Sequence, residues 1–218
     1  MDKYLNQPVS LSVSGIRLPI KGTLIDLGND ILVLHNGMQF LYVPLVHMQQ
    51  LTRCSAAEYD SAPPPEPPLE GTAELSYRKV LMNAKGMFSE LYIAGNQSVH
   101  GYVTSIMNDF FVFYSPMYHS LYVSMRHLKA LIPYDDQTTP YALEQEKFPV
   151  NPTTASLSRT FDQQLKKFEG EFVVLDLGEH PGKIGLLKSV ANNLVELVAA
   201  DGASTYIHLD HVKNVHKP

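Results

Sequence analysis

G-L-L-K-S-V-A-N-N-L-V-E-L, residues 185–197, is the third appearance of one pattern in this chain. G-T-L-I-D-L-G-N-D-I-L-V-L occupies 22–34 and G-Y-V-T-S-I-M-N-D-F-F-V-F occupies 101–113. Each stretch is followed by a second matching block: F-L-Y-V-P-L-V-H-M-Q-Q-L at 40–51, S-L-Y-V-S-M-R-H-L-K-A-L at 120–131 and S-T-Y-I-H-L-D-H-V-K-N-V at 204–215. Measured from Gly22, Gly101 and Gly185, the asparagines Asn29, Asn108 and Asn192 fall 7 residues on, Tyr42, Tyr122 and Tyr206 fall 20, 21 and 21 on, and His47, His127 and His211 fall 25, 26 and 26 on. Four residue types at shared spacings in three copies define an internal repeat, and the repeat decides how the rest is read.

Inside each copy the hydrophobic period is two, as in strands with one face on a core. Val9, Leu11 and Val13 alternate with Ser10, Ser12 and Ser14. Ile20 to Leu27, Ile31 to His35, Gln39 to Val43 and Met48 to Thr52 continue the series, with Leu45 to His47 as a tight turn before the last strand. Asn36-Gly37 and Asp201-Gly202 suit type I′ hairpins, in which both central residues need positive φ. The expected fold is mainly β: three tandem five-stranded barrels of SH3-like or Sm-like type. A helix precedes the second and third, since Ala73, Tyr77, Val80, Leu81 and Ala84, then Phe161, Leu165 and Phe168, recur at helical spacing before Gly86 and Gly170. These helices should cover an open barrel end. In the first copy only Tyr4 and Leu5 stand in that place, so its cap is expected to be short or supplied by a neighbour.

The expected divisions are 1–54 for the first barrel, 55–73 for a proline-rich linker, 74–133 for the second helix and barrel, 134–156 for a second linker, and 157–218 for the third helix and barrel. Pro63, Pro64, Pro65, Pro67 and Pro68 favour extended polyproline II in the first linker. Tyr134, Tyr141, Leu143 and Phe148 could anchor the second. The formal net charge of −5 belongs to the connections, because residues 56–74 carry five acidic side chains and no basic one.

Composition excludes several classes. With 44% apolar and 18% charged residues the 218-residue chain can build a core, and its acidic balance lacks the cationic excess of a dedicated nucleic-acid binder. No apolar run reaches the length of a membrane helix and no signal peptide opens the chain, so cytoplasmic synthesis without export is expected. The single cysteine, Cys54, allows no internal disulfide; its place between barrel and linker suits an exposed thiol, read as a simple unpaired group ahead of the alternative of a cross-link to another chain. His47, His127 and His211 belong to separate copies and are read as structural groups bonding a backbone carbonyl, not as a zinc site. Asn29, Asn108 and Asn192 are read as turn residues that tolerate left-handed backbone. The alternative is an Sm-like RNA-binding or regulatory module, in which an asparagine near this loop reads a base. No recurring carboxylate pair, nucleophile elbow or phosphate cradle is present, so no enzyme, cofactor, metal or small-molecule substrate is expected.

The third copy carries a further signal. F-D-Q-Q-L-K-K-F-E-G-E-F-V-V-L-D-L-G-E-H-P-G-K-I-G-L-L-K-S-V with S-T-Y-I-H-L-D-H-V-K-N-V resembles the repeat of spore coat protein B of endospore-forming bacteria. Gly178, Pro181, Gly185, Tyr206, His211, Val212 and Lys213 occupy its matching positions, as do Gly101, Tyr122, His127, Leu128 and Lys129 in the second copy and Gly22, Tyr42, His47 and Met48 in the first. The resemblance implies a non-enzymatic outer-coat component, made in the mother cell and recruited to the spore surface by other coat proteins; the barrel edges add an expectation of contact with copies of itself.

Overall fold

The computed structural model describes residues 1–54, 64–69, 75–94, 97–135, 138, 140–142 and 156–218. Much of both expected linkers, with Leu143, Phe148 and the helix position Ala73, lies outside the described residues. The protein is mainly β. The first copy contributes β1 (Pro8–Val13), β2 (Ile20–Leu27), β3 (Ile31–His35), β4 (Phe40–Pro44) and β5 (Met48–Arg53). The second follows helix α1 (Tyr77–Asn83) with β6 (Phe88–Ala94), β7 (Gln97–Ile106), β8 (Phe110–Ser115), β9 (His119–Ser124) and β10 (Ala130–Pro133). The third follows α2 (Phe161–Lys166) with β11 (Phe172–Leu175), β12 (Ile184–Ala191), β13 (Leu194–Val198), β14 (Ser204–His208) and β15 (Asn214–His216).

Local physics explains why the three copies look alike. A Cβ on Gly22, Gly101 or Gly185 would be driven into the carbonyl oxygen of His35, Tyr114 or Val198 on the neighbouring strand, so the repeat glycine marks a close backbone crossing. Three residues later the register slips by one in every copy, between Leu24 and Asp26, Val103 and Ser105, and Leu187 and Ser189. A bulge at one shared position bends the long second strand the same way each time. The 3-10 turn before the last strand is also pinned identically: the N–H groups of Leu45, Met125 and Leu209 donate to the carbonyls of Asp30, Asp109 and Asn193 at 2.8, 2.8 and 2.7 Å.

The chain gathers into two compact units, Met1–His100 with Leu128–Gln145, and Gly101–His127 with Glu146–Pro218. Strand order in the first is β6-β10-β4-β3-β2-β1-β5 and in the second β14-β13-β12-β11-β15-β9-β8-β7, all antiparallel. The mainly β expectation holds, while the strand pairing differs from that of three separate five-stranded barrels. Among the described residues β4 never pairs with its own β5, and the antiparallel sheet does not close. The strand that lies beside β4 is β10 of the second copy, and the strand beside β9 is β15 of the third. Ala130 and Ile132 of β10 accordingly sit in the first copy's core with Val9, Leu11, Leu24, Leu41 and Val43.

Three further expectations are corrected. The Asn36-Gly37 hairpin is not type I′, because only Gly37 has positive φ; the Asn36 side chain instead accepts the N–H groups of Met38 and Gln39 at 3.0 and 2.8 Å. Asp201-Gly202 likewise has positive φ at the glycine alone. Between β12 and β13, by contrast, Asn192 and Asn193 both have positive φ, at 53 and 60 degrees. Cys54 is buried at 6% exposure, because its N–H donates to the Pro8 carbonyl (3.0 Å) and carries the β1–β5 ladder past the strand end. A thiol buried in that way is not presented to another chain.

Candidate functional site

The sequence-selected residues do not converge on one centre. Each set of three equivalents is distributed along the chain, and among the described residues no group of three or more His, Cys, Asp or Glu is placed to hold a metal ion. What the residues do assemble is the contact between one copy and the next, which is formed twice.

At the first contact Leu131 of β10 lies opposite Tyr42 of β4. Tyr42 is fully buried; its hydroxyl accepts the Leu69 N–H at 3.1 Å, and burial pushes its phenol up to about 12. Lys129 brings its Nζ 3.0 Å from Nδ1 of His47 and 3.2 Å from Oγ of Ser14. At the second contact Val215 lies opposite Tyr122 and Asn214 opposite Val123, and the Ser124 N–H donates to the Lys213 carbonyl at 3.0 Å. Tyr122 is buried against Phe168 and Phe110, and burial raises its phenol as well. His127 Nε2 donates to the Asp210 carbonyl at 2.8 Å. The nearby Arg126–Asp210 ion pair, 2.9 Å but mostly exposed, adds at most about 1 kcal/mol.

Asp30 and Asp109, the turn residues beside the first two repeat asparagines, complete these contacts by capping a helix. The Asp30 carboxylate accepts the first helical N–H of α1, from Tyr77, at 2.7 Å. The Asp109 carboxylate does the same for Phe161 of α2 at 2.8 Å, while the Asn108 N–H donates to the Arg159 carbonyl. The turns beside Asn29 and Asn108 therefore each help cap the helix of the following copy. Helix α2 consequently does more than cover its own sheet: its Phe161 and Leu165, with Phe168 just past its end, share one cluster with Phe110, Val112 and Tyr122 of the second copy and Val173, Leu187 and Val195 of the third. The signal was the Asn-Asp pair, present in the first two copies and replaced by Asn-Asn in the third.

The third copy presents these positions differently. Tyr206 is 62% exposed and Leu194 40%. Glu196, which stands where the earlier copies have Val33 and Val112, bonds Lys188 Nζ at 2.8 Å, Ser204 Oγ at 2.9 Å and Ser189 Oγ at 3.1 Å. The Lys188 bond, then the serine hydroxyls, hold its carboxyl down at about 2. His211 is exposed, with His208 beside it at a ring separation of 5.8 Å.

Residues 160–215 match the family model described as the YwrJ third domain. Over the whole chain the sequence is 42% identical to Uncharacterized protein YwrJ of Bacillus subtilis (strain 168), across 223 aligned positions covering 100% of this chain and 99% of that protein. The chain belongs to the YwrJ family. For this YwrJ-family chain the alignment covers the residues of all three copies and of the strands that meet at both contacts. The family-model match runs from Thr160, just before α2, into β15.

Proposed function

We propose that this protein is a non-enzymatic structural component of the spore coat, three open Sm-like or SH3-like barrels in one chain that assemble through strand edges and tyrosine-bearing faces. The supporting observation is that, among the described residues, β5 at one end of the first unit's strand order and β14 at one end of the second's each pair with a single strand, β14 carrying an exposed Tyr206. A sheet edge offers unpaired N–H and C=O groups to another strand, and tyrosine adds contact area with a polar handle. The repeat positions Gly, Asn, Tyr and His serve backbone crossings, turns and copy-to-copy contacts, which is the division of labour of an assembly module. The resemblance to spore coat protein B supplies the location: synthesis in the mother cell, then recruitment to the spore surface by other coat proteins and by copies of this chain. Among the described residues no helix is long and apolar enough to cross a membrane.

Fractionation of purified spores tests the reading. The protein is expected in the coat extract and at the spore surface in immunolabelling. A signal confined to the mother-cell cytosol overturns it.

A further inference from the structure

The contact made twice inside the chain is left half-made at each end. Equivalent positions in the last strands are Gln50, Ala130 and Asn214, then Leu51, Leu131 and Val215, then Thr52, Ile132 and His216. In β10 and β15, whose outer edges lie against the preceding copy, every one of these residues is buried; in β5 Gln50 and Thr52 are exposed and Leu51 is half-buried. The tyrosine strands behave in the same way, since Tyr42 is 0% and Tyr122 5% exposed where a following copy pairs with them, and Tyr206 is 62% exposed where none does. One repeat pattern is thus buried at two sites and, among the described residues, exposed at the third, where no following strand pairs with it.

The backbone groups at the two bare edges face the right way. The Cys54 N–H bond to Pro8 means that Thr52 and Gln50 turn their peptide groups towards β1, so those of Leu51 and Arg53 point outward. On β14 the Ala199 N–H bond to Ala203 turns Thr205 and Ile207 towards β13 and leaves Tyr206 and His208 outward. Tyr122 and Ser124 are the outward residues used at the second internal contact, and they are the equivalents of Tyr206 and His208.

We infer that β14 of one chain pairs antiparallel with β5 of a second copy, repeating the internal contact between molecules. The register follows from the Val215–Tyr122 and Asn214–Val123 pairs: Tyr206 opposite Leu51, Ile207 opposite Gln50, and the His208 N–H on the Gln49 carbonyl. Gln50 and Thr52 then lie over the third copy's core as Ala130 and Ile132 lie over the first's. His211 takes the place of His127, and its ring donates to the Val46 carbonyl of the second copy, the equivalent of Asp210. The second copy's first residues approach Leu194, Glu196 and Tyr206, the face that α2 covers in the preceding copy. The two edges differ, so the join is head-to-tail and adds chains into a ring or a filament. The inference rests on the assembly reading above and specifies the edges and the occupant.

Light scattering on the size-exclusion-purified full chain tests it. The mass is expected to be a multiple of 24.4 kDa and to fall to the single-chain value in Gln50→Arg, which puts a charge on β5, and in Tyr206→Pro, which removes an outward N–H from β14. Both sites are exposed, and circular dichroism checks that each variant folds; Thr52→Arg and Thr205→Arg replace either one that does not. An equimolar mixture of the two variants retains one intact β14 and one intact β5, so it is expected to give a two-chain species and nothing larger. A full chain that stays single, a variant that still assembles beyond that species, or a mixture that does not pair overturns the inference. Single chains found in the spore coat would remove the head-to-tail join and leave the coat reading, whereas assembly without coat localisation would do the reverse.

Discussion

Tyr42, Tyr122 and Tyr206 show how far a residue's role is set by what stands next to it. The first two are sealed by a following strand and by Leu69 or Phe168, and their phenols are raised by burial; the third looks outward beside a carboxylate. Glu196 belongs to the same difference. A valine at its position serves where a helix covers the face, as Val112 does beneath α2, while at the uncovered face a carboxylate is held by Lys188, Ser204 and Ser189. Its folded-state carboxyl titrates at about 2 against 4.5 for the free side chain, so the unfolded chain takes up the proton first on acidification. The stabilisation is fully present above pH 4.5 and is lost as pH falls towards 2. Glu196→Gln should therefore flatten the pH dependence of Tm in that window and leave the slope above it unchanged. Thermal melts across the acid range check this, and identical slopes for the two proteins would contradict it.

At the scale of elements, α1 and α2 are seven and six residues long, well below the roughly 12–15 residues at which an isolated helix becomes stable in water. They exist because neighbours complete them. The apolar faces of α2 are filled from two copies, and its first N–H is bonded by Asp109 of the preceding one. Asp109→Ala removes that acceptor and should cost about 1 kcal/mol, within the range for lost helix caps, with Asp109→Asn restoring part of it. The urea midpoint measures the loss, and amide exchange should show it concentrated at 161–166. The helices were legible in the sequence from their apolar spacing and terminal glycines, yet their caps were not, because a cap supplied by a distant turn leaves no mark within the helix itself. In the first copy the strand positions were read within a residue or two from period-two alternation. The hairpin types were misread: Asn-Gly and Asp-Gly pairs permit type I′ without requiring it, and Asn36 satisfies the turn N–H groups with its side chain.

For the whole molecule, the repeat that sequence delimits is not the unit that folds. Ala130 and Ile132 stand about 80 residues from the first copy's strands in sequence but complete its core, and β15 stands in the same relation to the second copy. A fragment ending at Cys54 would expose Leu41 and Val43 on the bare side of β4. Such a fragment is expected to lack a cooperative thermal transition, whereas the full chain shows one; a sharp melt of residues 1–54 with native-like circular dichroism would contradict this. The sequence by itself determined the number of copies, the strands within each, the glycine crossings and the turn positions, because these follow from local sterics and from side-chain alternation over a few residues. Only the tertiary structure decided which strands become neighbours. An apolar residue in a last strand is equally suited to its own core and to that of the preceding copy, and the choice depends on where the β4 edge is left open. That choice buries two of the three equivalent tyrosines and leaves Tyr206 and β5 as the free ends.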